Sequence, residues 1–316
     1  MSGFKIKALI NIFSDCRFIG DENLQIKKLA SLTECAAKEI PEAVAWISDK
    51  NLDTASSNIK PGLLILSEIG FEKLKHLQCS FLISPNPRAT FVKMVSLFFK
   101  VKREPGIEPT AIIHSSVKTG TNCYIGHHVI IEENCTLGND VEILHNTVLL
   151  SGTIVGNKVR IGCNCTIGNY GFGYEKDEEG DYLLLEHMGN VVIHDEVEIH
   201  NNTCIDKGVM GSTVIGENVK IDNLVHVAHG VIIERNSLII ANAMLGGSCV
   251  IGENSWIAPS SSVKNKLKIA ADTLTGIGAV VLKEFPEKQV LIGNPASTME
   301  EYKAWSAVKK KLMKDQ

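Results

Sequence analysis

Two histidines three residues apart, His226 and His229, stand in the run Val219–Val231 together with Asp222 and Asn223. An imidazole titrates near neutral pH, so a histidine beside a corner of the backbone suits the removal of a proton from a reacting group. The type alone does not single out a site, since the chain has ten histidines. A spacing of three along a strand does not turn both rings toward one ion, as i, i+4 does on an α-helix, so no metal centre is expected. The nine cysteines lack the paired CxxC spacing of a structural zinc site and are expected as free thiols. A second feature is the glycine pair Gly246-Gly247. Its backbone N–H groups lie open to a developing oxyanion if the fold brings them to a histidine.

The elements that must position these residues repeat every six residues. From Ile125 the large aliphatic positions run Ile131, Leu137, Ile143, Leu149, Val155, Ile161 and Ile167; they resume at Ile193, Ile199 and Ile205, and again from Ile215 through Val227, Ile239 and Leu245 to Ile269. Two residues earlier sits a column of small or β-branched residues, among them Cys123, Val129, Cys135, Val141, Thr147, Cys165, Val197 and Val225. Residues two apart on a strand face the same way, so both columns point inward and each hexapeptide forms one flat side of a prism. The cysteines of the small column, with Cys249, are expected to fill core rather than to do chemistry. Gly126, Gly162, Gly216 and Gly252 follow large aliphatics and are expected at corners of positive φ. With three sides per turn, residues eighteen apart stack at about 4.8 Å. His229 is therefore expected over Gly211 and under Gly247, whose N–H would donate to a developing oxyanion. Insertions lie between Ile167 and Ile193 and around Lys207–Met210, and in repeat proteins such loops often form the binding face.

Residues 1–105 read as a separate α/β domain, with helical patterns at Leu24–Lys38 and Ala89–Phe99 and strand patterns at Ala43–Ile47, Gly62–Leu66 and Cys79–Ile83. A linker with Pro105 and Pro109 leads into the repeats at 106–285, and 286–316 is expected as a helical extension, amphipathic from Thr298 to Lys314 with Lys303, Lys309, Lys310 and Lys311. A net charge of −4 from 32 basic and 36 acidic residues argues against a nucleic-acid partner. No stretch approaches the roughly 18 apolar residues that span a bilayer, and no signal-type cleavage site follows the start, so a cytoplasmic protein is expected.

The hexapeptide signature resembles that of the left-handed parallel β-helix acyltransferases, which implies a mainly β fold with that handedness and a homotrimer with active sites between subunits. Val219–Val231, Gly171–Tyr174 and Val197–Gly208 resemble, in order, the matching segments of the UDP-3-O-(3-hydroxyacyl)glucosamine N-acyltransferases of lipid A synthesis. The likeness extends to LQIKKLASLTEC and Asn86-Pro87 in the N-terminal region. It implies transfer of a (3-hydroxy)acyl group from a phosphopantetheine thioester, on acyl carrier protein or coenzyme A, to the amine of a nucleotide-linked amino sugar. No bound cofactor is implied.

By the same resemblance His229 is the general base. Asp222 and Asn223 are candidates to orient it or to bind sugar hydroxyls, and Phe172 and Tyr174 are candidates for substrate contact. His226 stands where the family usually has glutamine and is a possible second polar contact. The family's uracil-binding pattern of Phe, Asn and Tyr appears as Trp46, Asp49 and Leu52. A further histidine expected near Val263–Lys268 is replaced by lysines suited to phosphate. Gly276–Val281 and Ile292–Ala296 look more like transferases that put short acyl groups on nucleotide-linked deoxyamino sugars. That second enzymatic reading uses a short-chain acyl-coenzyme A and a dTDP- or UDP-linked sugar, and a third reading is a non-catalytic trimeric scaffold.

Overall fold

The computed structural model describes residues 3–53, 59–100 and 103–313, and the chain forms two compact units, Met1–Lys102 and Arg103–Gln316. In the second unit the six-residue period becomes a left-handed parallel β-helix. Among the described residues its strands, mostly two residues long, stack into three sheets of eleven, nine and eight strands. Along one face Ile125 pairs with Ile143, Ile143 with Ile161, Ile161 with Ile199, Ile199 with Ile221 and Ile221 with Ile239. These side chains are all buried and join both inward columns in one continuous core. Each contributes about 1.5–3 kcal/mol by leaving water. The small-column cysteines are core residues as expected; Cys165 donates to the His200 carbonyl at 3.0 Å, and burial pushes its thiol up to about 11.

The corners correct one expectation. Gly126, Gly162, Gly216 and Gly252 do not adopt positive φ; that conformation falls just before the inward residues of the small column, most often on asparagine, as at Asn122, Asn134, Asn164, Asn218, Asn236 and Asn254, but also on residues such as His128, Lys158 and Leu224 and on Gly152, Gly230 and Gly278. Asparagine tolerates the left-handed region because its short polar side chain bonds locally. The glycines are needed for close approach instead. A Cβ on Gly162 would sit 2.7 Å from the backbone of His200 in the next coil, and one on Gly252 2.4 Å from the Ala271 nitrogen.

The helix starts at Gly106–Ile107, which pairs with Tyr124–Ile125, and continues past Ile269 through Leu274–Thr275 and Val280–Val281. The final segment, expected as helical, first adds the strand Val290–Ile292 beside Leu274–Thr275 and then turns back with Ser297–Thr298. Thr298 and Glu301 form a capping box that starts the helix Met299–Leu312. Lys314 lies outside the described residues.

In the first unit a five-stranded sheet takes the order Arg17–Ile19, Ser80–Ile83, Pro61–Leu66, Ile40–Trp46, Lys28–Leu29. The helix expected over Leu24–Lys38 is shorter. Ser31 and Glu34 form a capping box that opens it at Leu32–Ala37, and the preceding Lys28–Leu29 pairs as a strand with Ala43–Val44. Helix Pro87–Phe98 has Asn86 as its N-cap and proline at its first turn. Helices Ile6–Ile12 and Glu68–Leu74 were not among the elements expected from the sequence. Among the described residues no helix is long and apolar enough to cross a membrane.

Candidate active site

The two insertions meet. The longer one carries a hairpin, Tyr174–Lys176 against Tyr182–Leu184, and then runs beside the shorter one, where Met188 N–H donates to the Val209 carbonyl at 2.7 Å and Gly189 N–H to the Gly208 carbonyl at 3.1 Å. Between them lies a hollow of about 490 Å³ lined by Tyr170, His187, Met188, Lys207, Met210 and others. The Lys207 ammonium sits 4.0 Å from the centre of the Tyr170 ring, a cation–π contact.

His229 stands at the edge of this region, partly buried just after the strand His226–Val227. Above it lies Gly247, as the eighteen-residue count requires: a Cβ there would meet the His229 ring at 2.6 Å from Nε2. Among the described residues nothing accepts from the Gly247 N–H, while its carbonyl accepts from Lys266 N–H at 2.8 Å. The other flank differs from expectation. Gly211 does not lie under the ring, since a Cβ built on it has no neighbour within 4 Å. The four added residues lengthen the step from Ile205 to Val227 to 22 positions, and Gly171 of the long insertion packs against His229 instead. A Cβ on Gly171 would lie 2.9 Å from His229 Cβ and 2.6 Å from His187 Nε2.

His187 and Asp206 were not singled out by the sequence. His187 lies fully buried with its ring edge-to-face on His229, centroids 5.2 Å apart and planes at 77°. Its Nδ1 lies 2.7 Å from the Leu185 carbonyl, which can only accept, so Nδ1 carries the hydrogen. Nε2 is buried without a partner. Asp206 is buried, and its carboxylate is 3.7 Å from Nε2 of the exposed His226. Burial raises the Asp206 pKa above the usual carboxylate value, opposed by the fields of His226 and His187. Burial, and then the neighbouring His187, hold His229 below its ordinary value, so its neutral, proton-accepting form persists to lower pH.

Asp222 and Asn223 do not reach the histidine through a hydrogen bond. Asp222 accepts from Asn223 N–H at 2.8 Å and from Ala241 N–H at 3.1 Å, and Asn223 accepts from Asn201 N–H at 3.1 Å. Both brace successive corners. Phe172 and Tyr174 pack edge-to-face at 5.0 Å on the exposed hairpin, with Phe172 89% exposed.

In the first unit Trp46, 6.2 Å from Phe91 between ring centres, lines a cavity of about 510 Å³ with Leu32, Ser48 and Asn51. Asp49 is not in that lining; its carboxylate accepts from the Ser67 hydroxyl. Leu52 packs in the core, so an apolar side chain at that position serves packing.

A family model described as bacterial transferase hexapeptide (six repeats) matches residues 110–145 and 212–247. Among solved structures, LpxA, a UDP-N-acetylglucosamine acyltransferase from Bacteroides fragilis, superposes with a TM-score of 0.56 at 25% identity, over 61% of this chain and 73% of that one. Stacked coils that match this family model and superpose on that structure place the second unit among the hexapeptide-repeat transferases. The UDP-3-O-acylglucosamine N-acyltransferase of Campylobacter lari is 31% identical over 306 residues, 93% of this chain and 94% of its own. That of Acinetobacter baylyi is 33% identical over 249 residues, 73% and 68% of the two chains. The chain belongs to the UDP-3-O-acylglucosamine N-acyltransferase family. These relatives match the first enzymatic reading of the sequence rather than the deoxyamino-sugar one, and the N-acyltransferase family displaces the scaffold reading.

Proposed function

We propose that this N-acyltransferase moves a 3-hydroxyacyl group from the phosphopantetheine thioester of an acyl carrier protein to the amine of UDP-3-O-acylglucosamine, a step of lipid A assembly, with His229 as general base. The observation that carries the reading is the setting of His229 between Gly171 and Gly247, beside an unpaired backbone N–H. The amine attacks the thioester carbonyl, and His229 takes its proton. The Gly247 N–H donates to the oxyanion, and such a donor acts most strongly where water is excluded. Collapse of the intermediate breaks the carbon–sulfur bond, and the thiolate leaves as thiol with the proton from His229.

In the same reading Trp46 and Phe91 offer a stacking surface for the base of the nucleotide in the N-terminal unit. The exposed Phe172, Tyr182, Leu183, Met188 and Met210 form the apolar face against which another copy of the chain packs in a homotrimer. The enzyme works in the cytoplasm, where acyl carrier protein and nucleotide sugars are made.

The test is product mass after incubation of UDP-3-O-acylglucosamine with the 3-hydroxyacyl group on acyl carrier protein or on coenzyme A. Turnover is expected with the carrier protein, and His229→Ala should lower kcat by about 10²- to 10⁴-fold with unchanged melting. Preference for coenzyme A would overturn the donor assignment; wild-type turnover in His229→Ala would remove the base.

A further inference from the structure

A general base works only if its ring is held, and in most sites a third group holds it by a hydrogen bond. Among the described residues neither ring nitrogen of His229 has such a partner, and the carboxylate of Asp222 is engaged at another corner of the coil. The ring packed directly against His229 is that of His187, edge-to-face. Pairs of this geometry resist rotation of either ring because the positive edge of one meets the negative face of the other.

His187 is itself fixed. Its Nδ1–H is tied to the Leu185 carbonyl, and Leu185 N–H donates to the Gly173 carbonyl at 2.9 Å across the base of the hairpin. Gly171 leaves the room it occupies; a Cβ there would lie 2.6 Å from His187 Nε2. A histidine placed only to fill space would use both nitrogens, because buried polar atoms are nearly always paired. Here Nε2 stays unpaired, and a leucine or phenylalanine would fill the same volume without leaving a bare acceptor. Packing alone does not account for the residue type.

We propose that His187 is the positioning residue of the general base, holding the His229 imidazole edge-on between Gly171 and Gly247 so that its nitrogen meets the attacking amine. The inference rests on His229 being the base. The charged and titratable groups facing the pair are Asp206, whose carboxylate feels His187, and His226, 3.7 Å from Asp206. The shorter insertion contributes Lys207 at Tyr170, whose ring stands 6.2 Å from that of His187.

The experiment compares His187→Ala with His187→Phe, which keeps a ring but drops the tie to Leu185, using UDP-3-O-acylglucosamine at saturating acyl donor. His187→Ala should lower kcat by about 10- to 100-fold while the acceptor KM changes less than about twofold, because orientation rather than binding is lost. His187→Phe should recover only part of that loss, because the edge-to-face contact stays while the tie to Leu185 is gone. In both variants the acid limb of kcat/KM should move to higher pH, since the neighbouring imidazole no longer helps to hold His229 below its ordinary value. Nitrogen-15 NMR of labelled histidines should show the same upward movement for His229 without any turnover. Wild-type kcat in His187→Ala, Phe no better than Ala, or an unmoved His229 titration in both would overturn the proposal. His229→Ala with wild-type turnover would instead overturn the base assignment, and the NMR arm would still report whether His187 governs the His229 ring.

Discussion

The uninterrupted coils from Val219 to Ile269 and the coils broken by the two insertions share one core but answer to different demands. In the uninterrupted stretch every coil repeats the last. Ile221, Ile239 and Ile257 stack in register, and Asn218, Asn236 and Asn254 line one corner, Asn218 Nδ2 donating to Asn236 Oδ1 at 3.0 Å. Where the insertions enter, the step between paired residues lengthens from 18 to 38 for Ile161 and Ile199 and to 22 for Ile199 and Ile221. The extra chain brings a buried histidine with a bare nitrogen against His229, and a buried carboxylate, Asp206, stands just before the shorter insertion. Regularity supplies stability through repetition, and the irregular coils hold polar groups that stacking does not need.

The contrast is broken most forcefully in the regular part. Ile239→Ala removes a fully buried side chain and should cost about 2–5 kcal/mol of stability, with kcat below the melting transition unchanged; denaturant unfolding beside steady-state rates checks both halves. Equal damage to turnover would mean that core packing remote from the insertions also sets the site. At the site itself the effect should invert. Gly247→Val drives a side chain into His229 and should lower kcat by about 100-fold with little change in melting temperature. The smallest effect is expected at a corner: Asn236→Ala forces an alanine into φ of 59° and should cost about 1–2 kcal/mol, while Asn236→Gly recovers most of it. Matching melting curves for the two would show that the corner is held by the asparagine ladder rather than by backbone conformation.

His229 and Gly247 could be paired from the sequence because an eighteen-residue count holds wherever the coils are unbroken. The same count failed at Gly211, where four added residues separate the coils and let Gly171 take that place. His187 and Asp206 stayed hidden for a related reason: one lies in the longer insertion and the other beside the shorter, and no local pattern states that the two loops meet. Asp222 and Asn223 were legible as polar residues near a histidine, but their hydrogen bonds turn them to neighbouring corners. In the N-terminal unit the strands Ile40–Trp46, Pro61–Leu66 and Ser80–Ile83 were read from their apolar runs, whereas the edge strand Arg17–Ile19 was not. The split of Leu24–Lys38 into strand and helix turned on pairing with Ala43–Val44, a partner distant in the chain.

By itself the sequence determined the coil: a large aliphatic every sixth residue, with a small residue two before it, makes each hexapeptide one side of a prism with both columns inside. Tertiary structure alone decided what stands beside His229. Insertions follow no period, and their course depends on the hydrogen bonds that Met188 and Gly189 make to Val209 and Gly208, across a gap in the chain that local preference does not span.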